Sequence, residues 1–532
     1  MQPAGQCPLD LGPRNRLDRS VTARQFLRVS GTDIVSTDLL NSDQPVNPNR
    51  RDYFAVMAAA YLALPSLVFL LTWLRPGVGI PVAVIVTAAF VVYLRRADCR
   101  EPRPKLPAKT WAFVLLAALA WSLLGGAGGF VPQADDYEKH NLAFHDLIRQ
   151  SWPVEYITES GTNYLCYGLG YYLVPAFIAR VVGEAWLPVA CLAWAFAGLA
   201  LFFYWVATFS RSPRATLAIV LLFAGTEALW HMFLHILHTP AFAERGALIR
   251  GSLDHLGILS AYSDNFSAFQ YRPQHVLPAW LGMALFYDMF RVRGSPRAAG
   301  FILAVCCLWS PLMCVGLLLL PLATLKEWRW QDALEPVNFA GLILLGVLAI
   351  YFQGHVPVPE QGPIWIFANG SNWLLLYACF VLLQLSPMVF LCLAAQKYNV
   401  LGELRPLAWG SLLLLLLLPL YKIGYYGDLR LQAQTPALLI FGLAAARCWQ
   451  SPGFSLKRPF FALLVASQVL GAIYPVARWW QKALSERVDY SYTATQQRHG
   501  YQNLSDFKRD GFDYAAQYLG RTNSLAYRWL LK

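Results

Sequence analysis

The sequence predicts an all-α polytopic membrane protein, with about 12–13 transmembrane helices and further helices lying along its outer face. Three observations lead there. Hydrophobic residues make up 57% of the 532 and charged residues only 14%, where soluble proteins carry roughly 25% charged. Residues Leu412–Leu418 are an unbroken leucine run. Many other segments approach the roughly 20 apolar residues that a helix needs to cross hydrocarbon.

The elements follow in order. Residues 1–52 are polar and carry Arg14, Arg16, Arg19, Arg24 and Arg28 without the apolar core of a signal peptide, so they read as a cytoplasmic N-terminal tail. Residues 53–109 hold two helices, 53–74 and 79–94. Residues 110–477 form the main transmembrane module. Its spans are 110–127, 185–207, 214–237, 275–292, a tight pair at 299–312 and 313–325, 338–353, 373–393, 407–425, 434–449 and 459–477. Pro311 lacks a backbone donor, so the pair reads as one kinked helix or a re-entrant hairpin. Residues 478–532 form a polar, Tyr-rich tail that leaves the membrane at Arg478-Trp479-Trp480.

Charge sets the orientation. The net charge of +12 sits largely in short loops, and Lys and Arg favour the cytoplasmic side. If 164–182 spanned, Arg211, Arg214, Arg291, Arg293 and Arg297 would fall outside. If it lies on the outer surface, they join Lys326, Arg329, Lys397, Arg405, Lys457 and Arg458 inside. Gly168, Gly170 and Pro175 also weaken it as a span. The second arrangement puts 128–184, 238–274, 354–372, 422–433 and the tail on the outer, periplasmic side.

Candidate chemistry gathers on that side. Asp135, Asp136, Glu138 and His140 stand just beyond an apolar span, where ionisable groups meet water or line a cavity. Phe144, Leu147, Ile148 and Trp152 recur at helical spacing, which predicts an amphipathic surface helix. A carboxylate there suits deprotonation of a hydroxyl or a divalent cation such as Mg or Mn. The structural alternative is a capping box between Asp135 and Glu138. Arg272 and His275 at the mouth of a span suit a phosphate, or a headgroup contact by snorkelling. Glu227, His231 and His235 recur at i, i+4, i+8, which suits either a metal or a polar packing face. Asp428, Arg430, Gln432 and Gln434 alternate before Pro436, which suits a sugar or phosphate, or a plain interfacial turn. The ten cysteines lack zinc or disulfide spacing. No Walker motif or strand–GxGxxG–helix pattern supplies a nucleotide cofactor site.

Several elements together resemble the GT-C superfamily of integral-membrane glycosyltransferases, closest to a poorly characterised bacterial group. They are Asp136-Tyr137-Glu138-Lys139-His140-Asn141, Asp146-Leu147-Ile148, Trp152-Pro153-Val154, Pro273-Gln274-His275 and Asp428-Leu429-Arg430. The likeness covers about 110–450; the helices 53–94 precede what would be the family's first. It implies an inverting transferase of the bacterial inner membrane, in envelope polysaccharide biosynthesis. Its donor would be a polyprenyl-phosphate sugar, its acceptor an envelope glycan, lipid or protein, and nucleic acid no partner. Asp135 or Asp136 would be the base, and Glu138 or His140 would orient the acceptor or a metal. Arg272, His275 and Arg430 would hold the departing phosphate; Asp428, Gln432 and Gln434 would touch substrate. The competing expectations are a lipid or small-anion transporter or flippase, and a lipid-linked oligosaccharide polymerase or ligase.

Overall fold

The computed structural model describes residues 52–532 except 97–102, 104, 160, 211, 224–226, 260–261, 292–296, 324–329, 358–359, 369–371, 403, 486–488 and 510–511. The expected cytoplasmic tail therefore lies almost wholly outside the described residues, as do Lys326 and Arg329.

The described chain is mostly helical. Five helices are long and apolar enough to cross a membrane: Tyr53–Thr72, Pro76–Arg95, Glu184–Phe209, Pro336–Gln353 and Trp373–Lys397. Exposed leucines such as Leu116, Leu342 and Leu382 stud the outside of the bundle, an arrangement that lipid tolerates and water does not. Helix Tyr53–Thr72 is no peripheral addition. Tyr61 stacks on Trp194, and the Trp309 indole N–H donates to the Leu62 carbonyl at 3.0 Å.

Several expectations need correction. The span expected at 214–237 is two pieces, Pro213–Leu221 and Glu227–Ile236. The pair at 299–325 takes the hairpin alternative rather than the kinked helix: Ala299–Cys307 rises, and Pro311–Leu317 and Leu319–Ala323 return. Ser310 caps the returning arm, accepting from the Met313 N–H. Gly170 N–H meets the Leu308 carbonyl at the turn, while Arg297 pairs with Asp332 at the far end. The polar segment 238–274, expected on the outer side, contains helices Ala243–His255 and Asn265–Tyr271. The last helix, Pro459–Ser485, runs past the exit expected at 477. Pro436 does not close a turn. It lies inside helix Asp428–Gln450.

The fold is also not purely helical. Of 164–182, only Leu173–Val182 is helix. Ahead of it β1 (Glu155–Thr158) and β2 (Gly161–Leu165) form a hairpin. Strand β3 (Gln361–Pro363) pairs with β4 (Tyr421–Ile423), and β5 (Lys508–Arg509) with β6 (Phe512–Asp513). Strand β7 (Leu519–Arg521), from the C-terminal tail, adds antiparallel to β2. These strands are short and polar, which hides them in a hydropathy reading.

The segments sort to two ends. At one end the tail meets the first outer segment through β2–β7, and Asp146 accepts from the Leu504 N–H. Segment 354–363 joins through Val356 to Leu519, and Lys422 ties it to helix Ala243–His255. At the other end Arg103 bridges Asp52 and Asp288, Arg214 lies over Phe113, and Arg458 over Tyr398.

Candidate functional site

The surface helix Tyr137–Arg149 carries the acidic patch. Asp136 is its N-cap, and its side chain makes no capping bond. Glu138 in the first turn and Arg149 in the last suit the helix dipole. His140, Ala143, Phe144 and Leu147 face inward and pin the helix against the bundle. The patch at its start is therefore held on a rigid element rather than a loop.

Each residue has a definite place. Asp136 is nearly buried, and its carboxylate accepts from Lys139 at 2.9 Å rather than meeting His140. Glu138 turns the other way, to His499 at 3.2 Å and Arg498 at 3.7 Å in the tail. The capping-box reading thus gives way to a link between the surface helix and the tail. His140 is fully buried. Its Nε2 lies 3.2 Å from the Tyr271 carbonyl and its Nδ1 2.6 Å from the Tyr172 hydroxyl. A carbonyl only accepts, so Nε2 carries the proton and Nδ1 accepts from Tyr172. Burial, with the nearby Lys139 charge, pushes the imidazole down to about 3. His140 is a neutral brace with both nitrogens engaged, not a free acceptor-orienting group.

The second outer segment arrives at the same place. Arg272 donates to the Leu431 carbonyl at 2.8 Å and to Ser263. Buried His275 pairs with the Ser310 hydroxyl at 2.8 Å, which in turn donates to Gln432 at 3.0 Å. Gln274 donates to the Tyr167 hydroxyl. Asp428 is the first residue of its helix, and loss of hydration pushes its carboxyl up to about 6. Lys139, Arg272 and Arg430 pull it down and Asp136 pushes it further up, so all five groups lie within electrostatic reach. Lys139, Arg272 and Arg430 therefore stand within reach of Asp428 and Asp136, with Asp135 next in the chain.

Arg430 departs from the expected role. It is buried, lies 5.5 Å from both the Tyr262 and Phe380 rings, and donates to the Gly257 carbonyl. Burial lowers its guanidinium to about 10. Gln434 is fully buried and donates to the Leu431 carbonyl. Asp428 and Gln432 are the members of this segment that stay accessible.

The cluster is recessed. Asp52 and Asp288 share Arg103 and so mark one level. By helix rise, Trp73 stands about 30 Å above that level and His275 about 20 Å. The loop at Gly168 and Gly170 follows the cluster inward and packs on Trp309. A Cβ at Gly168 would come within 2.3 Å of the Trp309 carbonyl, so only glycine fits there.

Metal binding has a test in the donor set. Among the described residues, no group of three or more His, Cys, Asp or Glu side chains is placed to hold a metal ion. Beside Asp136 the balancing cation is Lys139. The residues present do not fit a divalent cation at the cluster. His235 is exposed on its short helix, and the side chains of Glu227 and His231 lie outside the described residues.

Sequence reasoning passed over Lys139, although it lies inside the patch, and also Tyr172, Ser310 and Lys422. The tyrosine run Tyr171-Tyr172 was the visible signal for one of them. Nothing in the sequence marks Lys422, buried between Glu360 and the Asp254 and His255 carbonyls. No protein-family model, curated protein or solved structure matches this chain, so the chemistry of the site rests on its own residues.

Proposed function

We propose that the chain is a GT-C-like glycosyltransferase of the bacterial inner membrane. It transfers a sugar from a polyprenyl-phosphate donor to an envelope acceptor on the periplasmic face. The observation that carries this reading is the convergence of the carboxylates Asp136 and Asp428 with the cations Lys139 and Arg272 in one recessed cluster at one end of the bundle. A lipid donor reaches such a recess from the bilayer, and its phosphate finds Arg272 and Lys139 there.

The reaction balances without a co-reactant. Asp136 takes the proton of the acceptor hydroxyl. The oxygen attacks the anomeric carbon, the bond from that carbon to the phosphate oxygen breaks, and the configuration inverts. The electron pair leaves on polyprenyl phosphate. Arg272 and Lys139 stabilise the charge that grows there, worth several kcal/mol when such donors are fixed in advance (about 3–4 for one oxyanion donor). Asp135, next in the chain, is the alternative base.

The transporter reading requires polar groups continuing through the bundle. Between the cluster and the Arg103 knot, Tyr61, Trp194, Phe202, Trp280 and Trp309 pack against one another. A polymerase or ligase would use the same site with a larger donor.

The test is release of polyprenyl phosphate from a panel of synthetic polyprenyl-phosphate sugars by the purified protein. Asp136→Asn is expected to lower the rate roughly 10²–10⁴-fold, the usual worth of a general base, with an unchanged melting transition. Full activity in Asp135→Asn, Asp136→Asn and the double variant would overturn the assignment.

A further inference from the structure

The surface helix has a second face that the proposed chemistry does not use. Asp136, Lys139 and His140 recur at i, i+3, i+4 and meet the cluster. Tyr137, Asn141, Phe144 and His145 recur at i, i+4, i+7, i+8, which puts them on an adjoining stripe. That stripe walls a groove of 660 Å³, closed on its other sides by the glycine turn 128–129, the start of helix Leu187–Phe209 and tail residues 489–492. The size lies within the ~300–1,000 Å³ of pockets that enclose small molecules.

The lining states what the groove accepts. Tyr137, Phe144 and Tyr171 close its floor as buried rings, exposed Phe130 and partly exposed Tyr490 and Tyr492 form its walls, and the Asn141 side-chain carbonyl and the His145 ring supply hydrogen-bonding groups. No lysine or arginine lines it, while Asp489 and Glu184 do. Arg149 pairs with Glu184 and neutralises it at the rim. The cations beside the groove, Arg149 and Arg498, are each paired with a glutamate, so a phosphate or uronate would meet Asp489 and no lining cation. The groove is pre-formed: His145 and Tyr492 stack at 3.5 Å and 3°, and Asn141 donates to both Gln133 and the Tyr490 carbonyl. A Cβ at Gly128 would come within 2.3 Å of the Pro188 carbonyl, so the close floor requires glycine.

We infer that this groove binds a neutral or N-acetylated oligosaccharide, the end of a glycan acceptor. Sugar rings present C–H faces to aromatic rings and hydroxyls to amides and carboxylates, which is what the lining offers. The anionic donor is excluded by charge and stays with Arg272 and Lys139. Because groove and cluster share one helix, a glycan lying along the groove reaches toward Asp136. The inference deepens the glycosyltransferase reading and rests on it for the word acceptor. The groove's sugar binding stands on its own lining.

The experiment is calorimetric titration of the full-length protein in nanodiscs with cellotriose, mannotriose, chitotriose and, as an anionic control, trigalacturonate. At least one neutral trisaccharide is expected to saturate below about 10 mM, and trigalacturonate is not. Tyr492→Ala and His145→Ala are expected to weaken binding at least about tenfold, while Tyr492→Phe, which keeps the stack, binds as the parent. Melting curves confirm that each variant is folded. If none of the neutral sugars saturates, if trigalacturonate binds as well, or if folded His145→Ala and Tyr492→Ala bind as the parent, the inference is wrong. The Asp136→Asn variant separates the two readings. Sugar binding with no donor turnover in the parent would sink the transferase and keep the groove. Asp136-dependent turnover without sugar binding would do the reverse.

Discussion

At the scale of single residues, Asp428 links function to stability. Its carboxyl is raised from 3.8 to about 6 because burial penalises the charge more than Lys139 and Arg272 favour it. The folded state therefore holds this proton more tightly than the unfolded chain. Stability from this group is present below about pH 4 and is lost as pH rises to about 6. Asp428→Asn removes that loss. The carboxylate is only half-buried and gains from the helix N-terminus, so the net gain at pH 7.5 is about 1 kcal/mol. Thermal melts should show the Asp428→Asn variant more stable than the parent at pH 7.5 and no more stable at pH 4. An equal difference at both values would mean that the carboxyl titrates normally. His140 behaves oppositely. Held neutral down to about pH 3, it contributes no titration between pH 5 and 8, and the activity profile in that range should lack a histidine step.

At the scale of elements, the surface helix depends on the tail. Asp146 is fully buried and its Oδ2 accepts from the Tyr156 hydroxyl at 2.9 Å and the Leu504 N–H at 2.8 Å. It fastens helix, hairpin and tail at one point. Asp146→Ala strips both donors of their acceptor inside the core, which should cost about 2–4 kcal/mol. Limited proteolysis should then cut the tail near residues 500–510 sooner than in the parent, before the helical bundle is attacked. Unchanged cleavage would show that β7 alone holds the tail. These elements also show what the sequence made legible. The amphipathic spacing of Phe144 and Leu147 marked the surface helix, and long apolar runs marked the five helices able to cross a membrane. The hairpin β1–β2 was missed because its pairing partner, β7, lies hundreds of positions away and no local pattern encodes it. The break at Leu222–Phe223 was missed because apolar residues flank it on both sides.

At the scale of the whole molecule, segments far apart in sequence assemble one face. Charge asymmetry grouped 128–184, 238–274, 354–372, 422–433 and the tail on one side, since it acts through topology rather than contact. It was silent on contacts: Arg430 was expected at the phosphate and is clamped between rings, and Lys139 was passed over. A label distinguishes the ends. Ile157, at the hairpin, is 91% exposed, and Leu456, at the opposite end, is 55% exposed. Ile157→Cys should react with an impermeant maleimide added to spheroplasts, and Leu456→Cys only after the membrane is opened. The reverse pattern would invert the protein in the membrane.

The addition of β7 to β2 has a consequence in time. The Leu504 N–H and its Asp146 acceptor are 358 positions apart. At about 5–20 residues per second, synthesis separates the two partners by roughly 20–70 s. Throughout that interval the hairpin edge stands open, and the acidic helix has no tail beside it. A nascent chain therefore exposes a strand edge to its neighbours long before its own partner emerges. Any factor that escorts the protein during insertion would act in that window, and stalling the ribosome just before codon 519 should capture it.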